Sequence, residues 1–135
     1  MNTYPTTVPR TIARFIFALF FIAACVAHFV EVDGFAKLLP AFVPFKSTLI
    51  ILTGIIELAL AILILIPAWR QRAGVWTAWY LVLIFPANIY AAIYQIPAPG
   101  QAYTDPAALW IRLIFQPLMI WWILWCTRPP KPRTD

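Results

Sequence analysis

Four apolar runs, each close to the length of a bilayer crossing, leave this chain few choices of fold. They cover about 11–31, 47–67, 74–94 and 107–127. A helix needs ~20 apolar residues to cross a hydrocarbon layer of ~30 Å. Periodicity does not separate a buried helix from a buried strand in such runs, but length does, and it selects helix. The surface argument agrees. With 63% hydrophobic and 11% charged residues, 135 residues carry too few charges to coat a soluble domain. The expected fold class is therefore all-α: a polytopic membrane protein, a four-helix transmembrane bundle. It forms a single domain over 1–127, followed by a basic cytoplasmic tail over 128–135.

Turn chemistry fills the breaks. Pro40 and Pro44 lie in the first, "PAWRQRAG" makes the second and "IPAPGQAYTDP" the third. Asp105 followed by Pro106 reads as a helix cap with proline in the first turn. Orientation follows from the cations. Arg10, Arg14, Arg70, Arg72, Arg128, Lys131 and Arg133 fall on one side, against Lys37 and Lys46 on the other. The positive-inside rule then places both termini in the cytoplasm, in a multi-pass protein of the inner membrane. Trp69, Trp110, Trp121, Trp122 and Trp125 lie near span ends, as an interfacial belt expects. Residues 1–27 also carry the pattern of a secretory signal, Arg10 and Arg14 before an apolar stretch and "AACVA". Cleavage there would discard the first span, which the four-span reading keeps. The first loop, "VDGFAKLLPAFVPFK", is too apolar for a solvated connector. It is expected to lie in the outer interface or to fold down as a lid.

Ionisable and amide groups inside spans are costly and usually face the bundle interior. Antiparallel threading places His28, Glu31, Glu57, Asn88, Arg112 and Gln116 in the middle-to-outer half and leaves the cytoplasmic half nearly free of polar groups. Faces agree with depths. His28 and Glu31 are three apart and Arg112 and Gln116 four apart, so each pair shares a helix face. Thr53, Glu57 and Ala61 form one stripe with Gly54 beside it, and small residues there let a neighbouring helix approach. Pro86 removes a backbone hydrogen bond and clashes with the carbonyl of Val82, and a kink there is expected to free polar backbone groups towards a cavity among these residues. The expected partner of Glu57 is Arg112, whose fork matches a carboxylate. Such a pair either fixes which helices pack together or forms part of a site.

Several chemistries find no residues to carry them. A single histidine excludes bis-histidine haem ligation, so haem is not expected. No Cys/His spacing suits a zinc ion, and no metal is expected. There is no Gly-rich phosphate loop and no serine or cysteine beside a base. The net charge of +5 flanks apolar runs instead of forming a patch, so its partner is anionic lipid of the bilayer and not nucleic acid. Cys25 and Cys126 sit about 20 Å apart in depth, too far for a disulfide.

Four stretches resemble a known family: "HFVEVDGFAKLLPAFVP", "TGIIELALAILILIP", "RQRAGVWTAWYLVLIFPANIYAA" and "WIRLIFQPLMIWW". Above all "FPANIY" and the Arg112-x-x-x-Gln116 spacing are similar to the DoxX-like family of small four-span bacterial membrane proteins. The positions that carry the resemblance are His28, Phe29, Pro40, Pro44, Gly54, Glu57, Pro86, Asn88, Arg112 and Gln116. It implies a four-helix membrane bundle and, more loosely, an accessory subunit of a quinone-dependent membrane oxidoreductase. No catalytic motif accompanies it.

The expected ligand-binding cluster is thus His28, Glu57, Asn88, Arg112 and Gln116, with a quinone as candidate cofactor and Phe85 and Tyr90 as candidate aromatic walls. Other readings are a non-enzymatic scaffold or assembly partner of another membrane protein, a homo-oligomer, and a small-solute carrier.

Overall fold

The four apolar runs are helices, and a fifth helix of one turn lies between the first two. The structure, a computed structural model, describes residues 6–96 and 105–129. In chain order the elements are α1 (Val8–Val30), α2 (Val32–Ala36), α3 (Lys46–Leu65), α4 (Arg70–Ile93) and α5 (Pro106–Thr127). The four long ones have 23, 20, 24 and 22 residues, about 30–36 Å at the helical rise. All four are long and apolar enough to cross a membrane. No strand occurs among the described residues. The third link, apart from its ends, and the end of the basic tail lie outside the described residues.

Local signals set the boundaries. Thr7 caps α1, its hydroxyl accepting from the Arg10 amide at 3.4 Å. The Asp105 side chain caps α5 as expected, accepting from Ala107 and Ala108 at 3.1 and 3.4 Å, with Pro106 in the first turn. Ile66 and Pro67 end α3, and Trp69 and Arg70 donate back to the Ile66 carbonyl at 3.0 and 2.9 Å. That link is short enough to force α3 and α4 antiparallel. Phe45 precedes α3 with φ 55°, a left-handed conformation that strains a bulky residue.

The bundle is a ring in the order α1, α3, α4, α5. The seams α1–α3 and α4–α5 are broad. The seams α3–α4 and α1–α5 are thinner, and α3 lies diagonally across from α5. One end holds the start of α1, the α3–α4 link and the end of α5, and is called here the terminal end. The other is covered by α2 and the segment that follows it, and is the capped end. Outward side chains such as Leu19, Leu83, Ile111 and Trp121 are more than 60% exposed, as a helix solvated by lipid requires. Inside, Phe17, Ile64 and Ile123 are fully buried among Ala18, Ala61, Ala73 and Ala78. Small residues let the backbones approach, which matters in lipid because association there depends on packing more than on excluding water.

The terminal end corrects one expectation. It is not nearly free of polar groups: Arg14, Arg70, Thr77 and Thr127 are all buried there. They are tolerated because helix backbones supply acceptors. Arg14 donates to the Cys126 carbonyl at 2.7 Å, and to the hydroxyls of Thr6 at 2.9 Å and Thr11 at 3.1 Å. Arg10 donates to the carbonyls of Trp125 and Arg128 and lies over the Trp125 ring. Together they cap the C-terminus of α5 with positive charge. Thr77 and Thr127 bond back to Ala73 and Ile123 at 2.7 and 2.6 Å. Trp122 is also not a belt residue. It packs edge-on against Phe17 and donates to Ala13 of α1 at 3.2 Å.

Candidate functional site

The site is assembled from four helices, and Gly54 makes the first junction possible. A Cβ at Gly54 would stand 3.0 Å from the Cβ of His28, so only glycine lets α1 bring that histidine so close to α3 without a shift. His28 is 8% exposed. Its Nδ1 lies 2.7 Å from the Ala24 carbonyl. A carbonyl only accepts, so Nδ1 carries the hydrogen and directs it there. The ring stacks on Phe35 of α2, with centroids 4.0 Å apart and planes 15° from parallel.

One turn deeper, Glu57 is 4% exposed. Its Oε1 accepts from the Tyr80 hydroxyl of α4 at 2.7 Å. Its Oε2 is 3.3 Å from His28 Nδ1 but has no hydrogen bond among the described residues. The two observations fit together: the pair is close enough to attract, yet the Nδ1 hydrogen is committed to Ala24. Half of this buried carboxylate is therefore unsatisfied, a state that protein interiors seldom keep without a reason.

A second polar group spans α4 and α5. The Asn88 amide donates to Gln116 Oε1, and Gln116 Nε2 donates to the Leu81 carbonyl at 2.7 Å. Arg112 donates to Asn88 Oδ1 at 3.4 Å. That is one hydrogen bond among the described residues for a guanidinium with five N–H donors. The carbonyl read by α5 is thus that of Leu81, one residue before the Val82 carbonyl with which Pro86 was expected to clash.

All five expected cluster residues, His28, Glu57, Asn88, Arg112 and Gln116, line one cavity of about 770 Å³. Its remaining wall is almost wholly apolar, with the rings of Phe20, Phe21, Phe35, Phe42 and Phe115. The cavity's size and make-up, an apolar lining with a few convergent polar groups, match those of small-molecule sites. The roof is the segment after α2. Leu38 is 5% exposed and packs with Ala91, Ala92 and Leu109, so this segment crosses the capped end from α1 to α4 and α5. The lid version of the loop expectation describes it, with Phe42, 85% exposed, at the cavity's rim and Phe45, 80% exposed, outside it.

Three expectations about the site are corrected. Glu57 does not pair with Arg112: their helices are diagonal in the ring, and the cavity lies between them. Glu31 does not join the cluster. It ends α1, its amide bonded to Ala27 at 2.8 Å, and the chain direction changes before its side chain can follow His28. Phe85 and Tyr90 are not cavity walls, and Tyr90 instead packs on Tyr94. Tyr80 was missed. Its signal was available: a tyrosine in mid-span, away from either interface, needs a buried partner for its hydroxyl.

A family model for a domain of unknown function, DUF8561, matches residues 17–127. The chain belongs to that family. No curated protein and no solved structure matches it.

Proposed function

We propose that this member of the DUF8561 family binds a lipophilic small molecule with a hydrogen-bonding head group, a quinone being the chemistry that suits the cavity best, as an accessory to a membrane oxidoreductase. One observation carries the reading: an apolar cavity of about 770 Å³ is bounded by a buried carboxylate oxygen with no hydrogen bond among the described residues. A scaffold needs only packed helices, and gives no account of that combination.

The donor set fits a head group with two oxygens. Arg112 would donate to a carbonyl oxygen, with Asn88 and Gln116 holding the guanidinium in place. Glu57 would accept from a hydroxyl. Phe21, Phe35 and Phe115 would bound the ring. A quinone supplies reversible electron and proton transfer when bound, and the redox-accessory part of the proposal rests on the DoxX-like resemblance. The protein's own contribution is to bind, to exclude water and to keep an acceptor beside the ligand. The positive-inside count supports a setting in the inner membrane with the termini, and hence the terminal end, in the cytoplasm.

The test is purification with native lipid, identification of bound small molecules by mass spectrometry, and thermal unfolding with added quinone. A co-purifying quinone or a rise in unfolding temperature is expected. Neither appearing would overturn the proposal.

A further inference from the structure

The four seams of the ring are not fastened alike around the cavity. At α1–α3, Gly54 seats His28. At α4–α5, the Asn88–Gln116, Gln116–Leu81 and Arg112–Asn88 bonds join the helices. At α1–α5, Phe20 meets Phe115 with centroids 6.0 Å apart and Trp122 at 6.4 Å, and Trp122 is itself tied to Ala13. The α2 segment roofs the capped end through Leu38.

The α3–α4 seam differs. Its hydrogen bonds between side chains gather at Tyr80, which donates to Glu57 and also meets the Thr53 hydroxyl, at the cavity floor. Towards the terminal end Leu60, Ala61 and Ile64 of α3 belong to one buried cluster with Ala73 and Ala78 of α4. Towards the capped end nothing comparable joins the two helices among the described residues. There Leu49 of α3 and Leu83 of α4 line the cavity and are also 38% and 74% exposed, whereas Phe20 and Phe115, exposed cavity residues of the α1–α5 seam, are in ring contact with each other. Pro86, in the same stretch of α4, is exposed and lines the cavity too. Exposed cavity residues that have no ring contact or hydrogen bond across their seam among the described residues mark a side opening.

The geometry points to a lateral portal between α3 and α4, bounded by Leu49, Leu83 and Pro86, through which a tailed lipophilic ligand enters from the bilayer. This inference rests on the ligand reading above and adds the route and the pose. The head lies between Glu57 and Arg112, and the apolar tail runs out through the portal into the acyl chains. The occupant is therefore a membrane-dissolved molecule with a polar head and an alkyl or isoprenoid tail. A water-soluble solute finds no entry on this side, because the portal carries no polar group.

The experiment is photolabelling of the full chain in lipid nanodiscs with a benzoquinone whose alkyl tail ends in a diazirine. Labelled peptides are then mapped. The expected result is label concentrated on the segments holding Leu49 and Leu83, lost when untagged quinone is added in excess. Leu49→Trp with Leu83→Trp is expected to suppress that label with little change in unfolding temperature. Label on Phe20 and Phe115 segments instead, competed by quinone, would overturn the portal while leaving the ligand reading intact. Label that excess quinone does not displace would reflect bulk lipid contact and overturn the portal. No label anywhere would overturn the ligand reading, and the portal with it.

Discussion

The two ends of the bundle use their buried polar groups in opposite ways. At the terminal end Arg14, Thr77 and Thr127 bond to helix carbonyls, and the space between helices is filled. Gly74 sits so close to α5 that a Cβ there would lie 2.0 Å from the Thr127 hydroxyl oxygen. At the capped end the polar side chains bond to one another as well as to helix carbonyls, surround a cavity, and leave one carboxylate oxygen without a hydrogen bond among the described residues. The first arrangement is a lock, in which polar groups hold helix ends in place. The second keeps space and unsatisfied bonding capacity, which stability alone does not require. A buried unpaired acceptor costs about 1–3 kcal/mol, and a family of sites is known by such costs.

That contrast can be broken from either side. The largest effect is expected from Gly74→Ala. The added methyl meets Thr127 at 2.0–2.9 Å, so the α4–α5 seam must open, at a cost of about 3 kcal/mol or more for overpacking of this severity. Thermal unfolding in detergent should show a large drop, partly recovered when Thr127→Gly is added. Next comes Arg14→Met. It keeps the bulk but strips the Cys126 carbonyl of its charged donor, with an expected loss of about 1.5–3 kcal/mol. Ligand content of the surviving protein should not change. If Arg14→Met emptied the cavity without lowering stability, the division between the ends would fail.

At the capped end the ranking should invert, with binding falling more than stability. Asn88→Ala removes the partner of both Gln116 and Arg112. It is expected to cost about 1–2 kcal/mol and to weaken quinone binding, read as a smaller thermal shift at saturating quinone. Glu57→Gln is expected to have the smallest effect on folding, within about 1 kcal/mol. Its amide oxygen can still accept from Tyr80, and the amide nitrogen that replaces the second oxygen carries no charge. Quinone-dependent stabilisation should nonetheless be lost.

Much of this division could be read from the chain, and the remainder could not, for identifiable reasons. Span length alone delivered the four long helices, and the Asp105-Pro106 pair delivered the start of α5. Depth along antiparallel spans and three-to-four spacing placed His28, Glu57, Asn88, Arg112 and Gln116 at a common level, and all five line the cavity. The Glu57–Arg112 pairing needed the angular order of helices in the ring, which no span length encodes. Tyr80 was legible through its mid-span hydroxyl, but a reading that groups aromatics with the apolar residues passes over it. Arg14 was hidden for the opposite reason: a cation near a span end reads as a topology signal, although α1 begins early enough to bury it against α5.

The claim that one end is a lock and the other a site is tested most directly by native mass spectrometry of the protein extracted with its lipid, comparing wild type with Glu57→Gln at matched unfolding temperature. The account predicts a bound lipophilic molecule on the wild type, absent from Glu57→Gln, with both proteins equally folded. A wild type without any such molecule, or a Glu57→Gln protein that unfolds as readily as Gly74→Ala, would contradict it.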